Sequence, residues 1–190
     1  MRAWQIGFVL LSAASLAAQD APAPKYQSRF NVEYNKVNYP QSEAKAAFKS
    51  VVKAIDENRH EYLMAQLVDP VFVDARVAEY KALMFPPESL LAEDEEIAGE
   101  LDPLLKKRKI FAKETNEKNR VKVAFGRLVT ETKKHFSEDP ILVRELRLFV
   151  RDGEWEEDAE KAVASLKKTT TRKVFLRKLE GRWFMEEKQQ

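Results

Sequence analysis

The chain has no cysteine, only five glycines and two histidines in 190 residues. Without cysteine there can be no disulfide, no thiolate metal site and no lipid anchor on an N-terminal thiol, so stability must come from packing. The few glycines form no phosphate-cradling loop, nucleophile elbow or paired-glycine dinucleotide motif. The histidines, His60 and His135, do not have the spacing of a helical metal pair, so no metal and no cofactor is expected. Charge of one sign is also missing: 33 basic residues face 31 acidic ones, which gives nothing to recruit nucleic acid by bulk charge.

At the start, Arg2 precedes an apolar core from Ile6 to Leu11 and then small residues to Ala18. This order predicts a secretory signal peptide over residues 1–19, cleaved after Ala17, Ala18 or Gln19. The competing reading, an uncleaved anchor, needs an apolar stretch of roughly 20 residues, and this one is shorter. The expectation is an exported protein, periplasmic or secreted, that is neither a lipoprotein nor an integral membrane protein after cleavage. Residues 20–40 read as an extended arm: the spacer Asp20-Ala-Pro-Ala-Pro24, then the aromatics of Phe30–Tyr34 and Tyr39. The arm can pack as an edge strand or meet a partner. Residues 41–190 are long enough for a single domain with its own core.

Helical spacing dominates the first part of that domain. Ala44, Ala47, Phe48, Val51, Val52 and Ile55 share one stripe behind a Ser42 cap. Tyr62, Leu63, Leu67 and Val68 form a shorter helix that must stop near Asp69, because Pro70 disfavours helix in the residue before it. Val71–Val73 then reads as extended, and Asp74 as the start of the next helix. From there to Asn116 the pattern is helical but interrupted, with a new start at Asp102-Pro103 and opposed charge runs at Glu93–Glu96 and Lys106–Lys109. These runs read as a solvated face rather than an anionic-partner site. Val121, Phe125, Leu128, Val129, Thr132 and Phe136 mark a long amphipathic helix. Asp139-Pro140 starts another that Gly153 closes, and this cap pattern outweighs the competing strand over Ile141–Arg151.

After Glu154 the period changes to two. Trp155, Ala162–Leu166, Lys173–Leu179 and Arg182–Lys188 predict an antiparallel meander of three to four strands, with a tight turn at Glu180-Gly181. Trp183 and Met185 should face one side and Phe184 and Glu186 the other, so the sheet is covered on both faces or Phe184 belongs to a partner surface. The fold class is α+β, with N-terminal helices packed on a C-terminal sheet.

Helices followed by a meander that ends in Leu179-Glu-Gly-Arg-Trp-Phe184 resemble the nuclear transport factor 2-like (SnoaL-like, cystatin-like) superfamily. Asn38–Ser42, Tyr62–Asp74, Arg144–Glu157 and Val174–Gln189 also resemble an uncharacterised family of exported bacterial proteins. The resemblance implies helices on the concave face of a curved sheet, enclosing a cone that is a ligand pocket in some members and a plugged core in others. A few members are isomerases or dehydratases with an Asp, His or Tyr in that cone; no comparable set stands out here.

Asp56, Asp69 and Asp74 lie near His60 in sequence as a candidate cluster for proton transfer, and His135 is the second histidine, but caps, turns and surface positions explain them. The favoured function is therefore a non-catalytic binding module for a small molecule or peptide. Its cavity should be lined by Tyr62, Leu67, Phe125, Phe149, Phe175 and Trp183, large apolar residues on elements that should converge. The alternatives are an assembly module using the aromatic arm and sheet face, as in a homodimer, and a small isomerase- or dehydratase-like enzyme.

Overall fold

The computed structural model describes residues 26–86, 115–166 and 172–187, so the leader, Asp102-Pro103 and both charge runs lie outside the described residues. Helices precede the sheet, as the change of period predicts. The arm, however, does not join the main sheet. It folds into its own ladder of β1 (Ser28–Arg29) and β2 (Val32–Glu33), turned by Phe30 and Asn31 at φ 53° and 65°. Asparagine tolerates that region, whereas phenylalanine there costs about 1–2 kcal/mol.

Helix α1 (Ala44–Asp56) buries the stripe read from its spacing, although Glu43 and not Ser42 stands at its cap, without a side-chain bond. Helix α2 (His60–Tyr62) runs into a π-helical turn at Leu63–Leu67, closed by Val68 N donating to Leu63 O at 3.0 Å. Val71–Val73 is not extended. Asp69 accepts from Val71 N at 3.0 Å and Pro70 occupies the first turn, so α3 runs over Pro70–Met84 and Asp74 lies inside it. A cap followed by proline outranks the β-propensity of three residues.

Helix α4 (Glu117–Glu138) and helix α5 (Pro140–Asp152) follow, the second started by Asp139, which accepts from Leu142 N at 2.8 Å. Gly153 ends α5 through close approach and not through a left-handed φ: a Cβ there would lie 2.4 Å from Phe149 O.

Strands β3 (Glu154–Glu157), β4 (Lys161–Ser165), β5 (Lys173–Leu179) and β6 (Arg182–Glu186) form one antiparallel sheet in sequence order. Glu180 and Gly181, at φ 49° and 77°, make the tight β5–β6 turn. Register places Trp155, Ala164 and Val174 in one row and Ala162, Leu176 and Met185 in the next, all on the face that carries Trp183. Helices pack on that face: the Phe48 ring lies 5.7 Å from Trp155 and 6.4 Å from Phe149. On the other face Phe184 is wholly buried, with Tyr26 edge-on at 5.7 Å, so β6 is covered on both sides.

Neither sheet edge invites pairing. Along β6, Trp183 N donates to Gln41 O at 3.0 Å, and Asp69 N to Met185 O at 2.8 Å. The β3 edge carries Glu154, Glu156 and Glu157, charges that oppose strand addition. Among the described residues no helix is long and apolar enough to cross a membrane.

Candidate ligand groove between the long helices

Phe72, Arg76 and Tyr80 recur every four residues on α3 and therefore share a face. Opposite them α4 presents Leu128, Glu131, Thr132, His135 and Phe136, and between the two helices opens a groove of about 500 Å³. Its floor is apolar. The wide π-helical turn supplies Leu63 and Met64, and Val68 and Met185 close the end nearest the sheet.

The polar groups on the rim are engaged with one another. The Tyr80 hydroxyl donates to Glu131, Arg76 donates to the Tyr80 oxygen at 3.0 Å and to Glu79, and Arg127 Nε donates to Glu131 at 2.6 Å. Burial, reinforced by the Glu131 carboxylate, pushes the Tyr80 phenol above its usual value. The Tyr80 hydrogen bond in turn holds the Glu131 carboxyl below its own. Thr132 Oγ1 donates to Leu128 O at 2.9 Å. No charge among these partners is left uncompensated.

Behind one wall lies His60, stacked on Phe136 with ring centroids 6.0 Å apart. The sequence predicts a surface position for His60, but it is only 5% exposed and its Nδ1 has no hydrogen-bond partner among the described residues. Burial lowers its pKa, and the nearby Lys133 charge acts in the same direction. A lowered folded-state pKa means that the unfolded chain takes up the proton first as pH falls through about 6.5, so stability present above that pH is lost below it. The expected result is a urea midpoint that drops between pH 7.5 and 5.5, with part of the drop removed in His60→Leu. An identical pH dependence in that variant would show that His60 is not its source.

The other proton-transfer candidates disperse. Asp56 pairs with Arg147 at 2.7 Å, Asp69 caps α3 and pairs with Arg177 at 2.8 Å, Asp74 pairs with Arg29, and His135 is exposed on the groove rim. Among the described residues no three His, Asp or Glu side chains gather as a metal site.

The six residues expected to line a cavity are also spread out. Leu67, Phe149 and Trp183 are sealed in the core at 1% exposure. Phe175 is half-buried on the sheet face opposite Leu176. Tyr62 borders a polar groove of about 610 Å³ with Tyr39 and Glu57, where burial and the Glu57 carboxylate push the Tyr39 phenol up to about 12. Phe125 borders a third groove, of about 750 Å³. None of the six lines the α3–α4 groove, whose residues lie partly in the Val71–Val73 stretch read as extended; the Asp69-Pro70 start signal was the clue to it.

A scan of protein-family models finds no match to this chain, and searches of curated proteins and of solved structures find none either.

Proposed function

We propose that the protein is a non-catalytic binding module whose α3–α4 groove takes a small, neutral, apolar ligand. The observation that carries this reading is the combination of an apolar floor with a rim on which Arg76, Tyr80 and Glu131 engage one another. Such a groove gains from burying apolar surface, and the charges of Arg76 and Glu131 are already engaged with partners. Tyr80 is pushed above its usual value and Glu131 held below its own, so neither is shifted toward neutral pH, which supports binding over catalysis. The leader pattern supports export, and helices followed by a four-stranded meander support a nuclear transport factor 2-like relationship.

The neutral fluorophore N-phenyl-1-naphthylamine tests the assignment. It should bind with a rise in emission, and Thr132→Trp, which fills the groove from α4, or Phe72→Glu, which places a charge in it, should weaken binding at least tenfold. Wild-type affinity in both variants, at unchanged melting temperature, sinks the reading.

The assembly role, including a homodimer through arm and sheet face, has less support. Tyr26 packs on Phe184, Phe30 on Phe125 and Tyr39 on Tyr62, so the arm's rings are engaged within the chain.

A further inference from the structure

We propose that the third groove, between the β1–β2 tip and α4, binds a single-tailed anionic amphiphile, its head group at Lys118 and Lys122 and its chain along Phe30, Gly126 and Val129. This site is separate from the α3–α4 groove and does not depend on that assignment. Its polarity runs along one helix face. Lys118, Val121, Lys122, Phe125, Gly126 and Val129 follow helical spacing over roughly 16 Å of α4. The cations stand at the N-terminal end, where the helix dipole also favours an anion, and the apolar residues stand beyond them.

Three features of this groove support an external ligand. First, neither Lys118 nor Lys122 has an acidic partner within ion-pair distance among the described residues, and the one carboxylate on the opposite wall, Glu61, leaves the site with an excess of positive charge. In the α3–α4 groove Arg76 and Glu131 pair with neighbours; these two lysines do not.

Second, Gly126 sits in mid-helix with nothing among the described residues within 4 Å of the position its Cβ would take. Its φ is not positive, so neither backbone conformation nor internal packing calls for glycine there. Glycine in an exposed helix interior is unfavourable, and its one effect here is to deepen the groove floor.

Third, Phe30 holds φ 53° at the hairpin tip and lies flat on Phe125, ring centroids 4.1 Å apart and planes 6° from parallel. A bulky residue kept in a strained turn position, where asparagine or glycine would suffice, extends the apolar wall out to the groove mouth. An anionic head satisfies the lysines and an unbranched chain covers Phe30, Gly126 and Val129; about 750 Å³ is within the range of small-molecule sites.

Dodecanoate, titrated calorimetrically into the full-length protein below its micelle-forming concentration, tests this. Saturable binding should weaken at least tenfold in Lys118→Glu/Lys122→Glu. Dodecanol and dodecyltrimethylammonium should bind at least tenfold more weakly than dodecanoate, and Glu61→Gln should bind dodecanoate more tightly. Gly126→Leu, a better helix former that fills the floor, should melt no lower than wild type and yet lose binding. Thr132→Trp should leave dodecanoate affinity unchanged. Equal affinity for dodecanol, wild-type binding by Gly126→Leu, or loss of binding in Thr132→Trp alone would each overturn the proposal.

Discussion

Replacing Arg182 by methionine should lower the stability of the fold by about 3 kcal/mol, enough to reduce the melting temperature by roughly 10 °C. Arg182 is only 9% exposed and no carboxylate lies within ion-pair distance of it among the described residues. Neutral groups solvate it instead. Nη2 donates to Gln41 Oε1 at 2.6 Å and Gln66 Oε1 at 3.0 Å, Nη1 donates to Tyr26 O at 2.7 Å, and the guanidinium carbon lies 3.6 Å from the Tyr34 ring centroid. Burial pulls its pKa down from the usual guanidinium value, and the ionisable phenol groups of Tyr34 and Tyr62 act against that.

The two glutamines extend the network to the rest of the fold. Gln41 Nε2 donates to Trp183 O at 2.7 Å and to Gln66 O at 3.0 Å, and Gln66 Nε2 donates to Val32 O at 2.6 Å. Arm, π-helical turn and β6 therefore meet at one guanidinium. Methionine keeps the apolar stem but leaves the Gln41 and Gln66 acceptors buried without a donor, at about 1–3 kcal/mol for each orphaned group. Replacing a whole buried polar cluster is a different matter, since well-packed apolar residues are often neutral there. The triple variant with Gln41→Met and Gln66→Met should thus recover part of the loss. An unchanged melting temperature in Arg182→Met would mean that the arm holds without the network.

This network also marks the limit of what the sequence made legible. Local periodicity was readable because it reflects which face of an element is buried: the α1 stripe, the α4 spacing and the alternation of β5 and β6 all reappear in the structure. Asp139-Pro140 was legible as a helix start, whereas Asp69-Pro70, the same signal, follows directly on the Tyr62–Val68 helix and so reads as its stop. Pairings across long separations have no local pattern. Gln41 and Gln66 are ordinary polar residues in sequence, and only the approach of β6 makes them the solvation shell of Arg182. His60 likewise reads as a surface histidine until α4 brings Phe136 over its ring. The α3–α4 groove was missed for the same reason: Leu67, Phe149 and Trp183, among the largest apolar residues expected to line a cavity, fill the core of a close-packed fold.

Phe48→Ala should give the largest loss of any single truncation in the core, about 3–5 kcal/mol, because the site is closed on every side and cannot collapse onto the missing ring. Phe48 has no exposed surface; it meets Phe149 edge-on at 84° and Trp155 at 55°, so one side chain of α1 joins α5 to the first strand of the sheet. Edge-to-face geometry adds about 0.5–1.5 kcal/mol to the burial itself, and a Phe48/Phe149 double-mutant cycle should recover a coupling of that size. Phe48→Leu, which keeps most of the volume, should cost about 1 kcal/mol and leave Trp155 emission nearly unchanged, whereas Phe48→Ala should shift that emission to the red as water reaches the indole. If Phe48→Ala costs no more than an exposed truncation, the helices are not held to the sheet through this ring cluster.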